Sequence, residues 1–182
     1  MFHLTSRRRW ARIADSGAIV SRAELARLGL AQYPASPPAR RPWDEIAHGL
    51  VWLTINPLPR DRWLDAEEEH KGDVIVTVEP QAEAWTTFAR LRGFPERYLH
   101  GLRELGNPSE WFVSDTPIDV TRWLRVQEGR AGHVLWERGM PLSDAYALCV
   151  VCGRADRRAA LVEPDGFGPL CADCAEPASR VS

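Results

Sequence analysis

Four cysteines constrain this chain more than any other feature. They stand as Cys149-x-x-Cys152 and, after 18 intervening residues, Cys171-x-x-Cys174. Each pair is a tight turn that directs two thiolates at one centre, and two such pairs at this separation suit one tetrahedral Zn²⁺. Gly153 follows the first pair, where a knuckle turn favours glycine. Between the pairs, residues 159–163 and 166–170 read as a small hairpin around Pro164-Asp165. The expectation is a zinc-ribbon or treble-clef-like module over residues 141–182, with Cys149, Cys152, Cys171 and Cys174 as its ligands. Four thiolates leave no open coordination position, so such a zinc is structural. Its apparent binding energy, of order 10–16 kcal/mol in small zinc peptides, accounts for the folding of so short a module. Arg154, Arg157 and Arg158 beside the first knuckle could meet phosphate, but Asp156, Glu163, Asp165, Asp173 and Glu176 offset them. The module therefore reads as a fold staple or protein contact ahead of a nucleic-acid contact.

The remaining residues are enough for one proper core. The chain has 182 residues, of which 45% are hydrophobic and 26% charged, which excludes a disordered or collagen-like chain. The 23 Lys+Arg against 25 Asp+Glu leave no overall positive field for bulk nucleic acid. No apolar run reaches the roughly 18 residues of a membrane span, and the first ten residues hold no signal-like apolar stretch. These points predict no membrane partner and a cytoplasmic location, where cysteines stay reduced. Phosphate-binding Walker loops, a G-x-G-x-x-G after a strand and a G-x-S-x-G elbow are all missing from the sequence.

Periodicity and punctuation predict an α+β chain. Residues 1–5 read as a strand, followed by a helix capped by Ser6 and stopped by Gly17. Ser21 and Glu24 form a capping-box pattern before Leu25 and Leu28. Residues 33–42 hold four prolines and read as an extended loop. Residues 50–55 and 73–79 read as buried strands, with a polar surface segment between them that includes the acidic run Glu67–Glu69. Helices are expected over 83–91 and 96–105, a strand over 110–114 and another within 118–127. The eight tryptophans are mostly core candidates, because each buries a large area. The basic run Arg7-Arg8-Arg9 opens a helix against the dipole preference; it reads as a solvated face or as an anion-facing one.

FHLTSRRRWARIADSGAI, at residues 2–19, resembles the opening of several ADP-ribosyltransferase-fold proteins, including the DarT-type DNA-modifying toxins and the RNA 2′-phosphotransferases. In these a first strand carries an H-x-T-like segment and a helix follows that ends near Ser-Gly. The layout Pro108-Ser109-Glu110-Trp111-Phe112-Val113, with Pro117-Ile118 behind it, is similar to the catalytic-glutamate region of DarT-type proteins. The resemblance covers roughly residues 1–127 in element order. It implies an ADP-ribosyltransferase-like split β-sheet core with flanking helices over residues 1–140, followed by the zinc module. It further implies NAD as co-substrate, Glu110 as the catalytic carboxylate, and His3, Thr5, Trp52 and Thr54 as NAD-binding residues. Pro108 stands two residues before Glu110, where many arginine-specific members carry Gln or Glu, so an arginine target is not implied. The implied function is NAD-dependent ADP-ribosyl transfer to a nucleic acid or protein acceptor in a bacterial or phage conflict setting. The alternative is a non-enzymatic zinc-containing adaptor that binds nucleic acid or protein on an inactive scaffold of the same kind.

Overall fold

The computed structural model describes residues 1–28, 42–57, 72–104, 106–129, 132–163 and 168–178. Most of the proline-rich stretch, the acidic run, Trp63 and the Pro164-Asp165 turn lie outside the described residues. The elements run β1 (Phe2–Thr5), α1 (Arg7–Ser16), β2 (Ala18–Ile19), α2 (Arg22–Arg27), α3 (Pro42–His48), β3 (Val51–Thr54), β4 (Val74–Val78), β5 (Glu83–Ala84), α4 (Trp85–Leu91) and α5 (Glu96–Arg103). They continue with β6 (Trp111–Ser114), β7 (Ile118–Asp119), β8 (Trp123–Glu128), β9 (Val134–Glu137), β10 (Tyr146–Leu148), β11 (Ala155–Arg157) and α6 (Ala172–Ala178).

Local chemistry sets the ends of α1. The Ser6 hydroxyl accepts from Arg9 N–H at 3.3 Å, and Gly17, at φ 65°, donates its N–H to Ile13 O at 2.9 Å. Only glycine adopts that left-handed turn without a Cβ penalty. Ser21 caps α2 in the same way, but the Glu24 carboxylate turns forward to Arg27 and does not close a reciprocal box. Two expectations shift. Pro42 opens a helix, as a proline without a needed N–H can. The helix expected from residue 83 begins at Trp85, because Glu83 and Ala84 pair with β6 as an edge strand.

Seven strands form one sheet in the order β5-β6-β3-β1-β4-β8-β9, and every strand pair among the described residues is antiparallel. The chain is thus mixed α and β, with β2–β7 and β10–β11 as separate two-stranded pairs. β1 is registered with β4 along its whole length, Phe2 opposite Thr77 through Thr5 opposite Val74. Against β3 it is registered only at Phe2 opposite Thr54.

Opposed residues of an antiparallel pair share a face. One face carries Val51, Leu53, Val74, Val76, Val78, Trp123, Val126 and Trp136, covered by Trp10 and Ala14 of α1 with Ile19. The other carries Trp111 and Val113 under Trp85, Phe88 and Phe94. Trp10, Trp85 and Trp123 are 0% exposed. Each contributes about 4–6 kcal/mol of area-based burial before the entropy of ordering it. Ala145 and Leu148, beyond residue 140, belong to the same buried cluster as Trp10, and the Trp10 indole N–H donates to Tyr146 O at 2.8 Å. Among the described residues no helix is long and apolar enough to cross a membrane.

Candidate functional site

The four cysteines converge. Their sulfurs all lie within 4.8 Å of one another, and Cys152 Sγ is 3.7 Å from Cys171 Sγ. β10 delivers Cys149 into a knuckle closed by Gly153 N–H to Cys149 O at 2.9 Å and by Cys149 N–H to Arg154 O at 2.9 Å. Gly153 sits at φ 76°, so the glycine after the first pair has a conformational reason. The second pair is built differently. Cys171 stands immediately before α6 and its carbonyl accepts from Cys174 and Ala175 N–H, so these two sulfurs come from the first turn of a helix. Val162 and Leu170 bridge in antiparallel fashion between the pairs, inside the expected hairpin.

The electrostatics fit a cation. Burial works against a Cys149 thiolate, but the backbone N–H groups of Cys152, Cys171 and Val151 outweigh it and draw the thiol down to about 6. The hydrogen bond with Cys171, desolvation and the other sulfurs push Cys174 up to about 12. Four sulfurs this close repel one another as thiolates, and a dication lets all four ionise together. The cluster is compatible with a structural metal site, with no further side chain needed.

Two of the three arginines beside the first knuckle pair within this chain. Arg154 pairs with Asp173 at 2.7 Å, and Arg158 pairs with Asp15 of α1. Arg7 Nε lies 3.4 Å from Asp73 Oδ2, and its guanidinium sits against Gly153, where a Cβ would come within 2.8 Å of both terminal nitrogens. The Arg8 stem lies against Gly168 in the same way. The start of the basic run therefore packs on the cysteine module.

A second constellation lies at one end of the main sheet. β6, β3 and β1 are consecutive neighbours there, so the start of β1, the end of β3 and the start of β6 meet. His3 Nδ1 lies 3.0 Å from Trp52 O, a hydrogen bond that spans the β1–β3 seam. Glu110 ends a short 3₁₀ turn (Pro108–Glu110) directly before β6, and its carbonyl accepts from Ile55 N–H at 3.0 Å. Its carboxylate accepts from Asn107 Nδ2 on Oε1 at 2.9 Å and from Asn56 Nδ2 on Oε2 at 3.1 Å. Ile55, between Thr54 and Asn56, is 51% exposed.

Of the remaining expected residues, Thr54 ends β3 at the same sheet end, whereas Trp52 and Thr5 are placed elsewhere. Thr54 is buried, and its hydroxyl accepts from Asn56 N–H at 3.0 Å, so it shapes the turn that carries Asn56. Trp52 lies on the opposite face of the sheet from His3. Its ring is 4.7 Å from Trp85 and edge-on to Trp111 at 6.0 Å, and its N–H donates to Ala47 O. Thr5 lies at the far end of β1, 1% exposed, with its hydroxyl oxygen unpartnered among the described residues. Asn56 and Asn107 were not singled out from the sequence. Each precedes a proline, in Asn56-Pro57 and Asn107-Pro108, and such dipeptides mark turns. That signal gives the turns without showing that both amides reach one acid.

No family model, no curated protein and no solved structure matches this chain.

Proposed function

We propose that the chain transfers ADP-ribose from NAD⁺ to a nucleophile on a nucleic acid or protein, with Glu110 as the catalytic carboxylate and His3 as a ribose-binding group. The observation that carries this reading is the carboxylate of Glu110: half-buried, held by two neutral amides, without a cationic partner among the described residues, and at the sheet end where the His3 strand also begins. Cleaving the nicotinamide–ribose bond develops positive charge on the ribose. A carboxylate that keeps its charge stabilises that charge where it forms. The C1′–nitrogen bond breaks, nicotinamide leaves with the electron pair, and the acceptor heteroatom bonds C1′ and gives up its proton. His3 is anchored at Nδ1 on Trp52 O, which fixes its ring across the β1–β3 seam at the sheet end that carries Glu110. Exposed Ile55 offers an apolar surface beside the carboxylate. The reading takes the metal to be Zn²⁺ in a purely structural role, since four thiolates saturate it.

Calorimetric titration with NAD⁺ and mass detection of released nicotinamide test the proposal. Glu110→Gln is expected to cut turnover by about 10²–10³ while NAD⁺ binding persists. Unchanged turnover in that variant overturns the assignment.

One observation favours an adaptor instead: the cysteine module exposes two large apolar side chains, Val151 in the first knuckle at 59% and Val162, bridged to Leu170, at 52%, which suit a protein partner. Absence of NAD⁺ binding, together with a partner interaction lost on Val151→Glu, selects this reading.

A further inference from the structure

We infer that Asn56 and Asn107 are positioning residues for Glu110, together making the carboxylate a preoriented anion; the inference rests on the function proposed above. Each amide takes a different oxygen, Asn107 at 2.9 Å on Oε1 and Asn56 at 3.1 Å on Oε2. Two fixed donors on two oxygens stop rotation of the carboxylate plane. A glutamate otherwise retains much of its rotamer freedom, and a transition state that needs its charge in one place would have to order it.

The donors are themselves held. Asn107 Oδ1 accepts from Ser109 N–H at 3.3 Å and from Ser109 Oγ at 2.7 Å, which caps the 3₁₀ turn, and Glu110 N–H returns to Asn107 O at 3.0 Å. Asn56 is set by its backbone N–H on Thr54 Oγ1 and by the neighbouring Ile55 N–H on Glu110 O. One donor thus comes from the turn after β3 and the other from the turn before β6. The ladder between those strands, Thr54 opposite Trp111 through Val51 opposite Ser114, exists without either side chain.

The choice of amide has a chemical consequence. An arginine or lysine in either place would orient the acid and also cancel its charge. A carboxylate has about four lone-pair sites, and two amide bonds leave about two. Among the described residues no other group takes them, and a ribose hydroxyl and the developing cation could.

The test is Asn107→Asp. Aspartate keeps the acceptor that caps Ser109, caps nearly as well as asparagine, and has almost the same shape. It lacks the N–H donor and sets a negative charge against Glu110. If the amide positions the acid, kcat for nicotinamide release falls about 10- to 100-fold, KM for NAD⁺ moves little, and the melting temperature stays within a few degrees. Asn107→Ala and Asn56→Ala then fall less than Asn107→Asp, and the double alanine variant falls below either single one. Wild-type kcat in Asn107→Asp, measured where Glu110→Gln shows its expected fall, overturns this inference and leaves the proposed function standing. A wild-type protein that releases no nicotinamide overturns both.

Discussion

Substituting Cys152 by serine separates a metal centre from a mere cluster of packed thiols. Cys152 is exposed, whereas Cys149 is buried. In a metal-free protein an exposed Cys→Ser exchange should change stability by no more than about 0.5 kcal/mol. Buried Cys149→Ser would then cost about 1–3 kcal/mol for burying a hydroxyl. With a metal at the centre the asymmetry largely disappears, because both sulfurs are ligands. Sharing an apparent binding energy of order 10–16 kcal/mol among four thiolates assigns about 3 kcal/mol to each. Cys152→Ser is therefore expected to destabilise by about 3 kcal/mol, a fall in melting temperature on the order of 10 °C for a chain of this size. Urea unfolding of the purified variants, with zinc content read by a metallochromic dye, gives both quantities. A Cys152→Ser protein as stable as wild type, with no zinc in either, would refute the assignment of the cluster as a metal site.

Two further outcomes probe how the cysteine module is fastened. Gly153→Ala and Gly93→Ala both place alanine at positive φ, 76° and 69°, for about 1–2 kcal/mol of backbone strain. Only at Gly153 does the new Cβ meet the Arg7 guanidinium, so urea unfolding should show up to about 1 kcal/mol more loss there, and the excess should vanish in an Arg7→Ala background. Trp10→Phe removes the bond to Tyr146 O and shrinks a fully buried ring, for about 2–4 kcal/mol. It should also speed metal release to a chelator; an unchanged release rate would show that the module opens independently of α1.

Much of the architecture is local enough to read along the chain. The Ser6 and Gly17 ends of α1, the β-branched run of β4 and the two cysteine pairs each depend on residues a few positions apart, where backbone sterics and capping decide the outcome. The same holds for Gly153, whose positive φ follows from the knuckle. Short strands next to turns were less legible. Residues 83–84 have helical neighbours, and it is pairing with β6 that makes them a strand.

Long-range register settled the rest. Glu110 and Asn56 are separated by 54 positions, and no periodicity links them; β3 and β6 had to pair before an amide could reach the acid. Trp52 alternates with Val51 and Leu53 along β3, so the register that put those two into one core turned the indole into the other. The sequence leaves Arg7 and Arg8 at the start of α1 to face solvent or an anion; packing of β10 on that helix sets Arg7 beside Gly153 and Arg8 beside Gly168. Composition limits which contacts are affordable, but a side chain's partner across the sheet depends on strand pairing, which a one-residue slip would reverse.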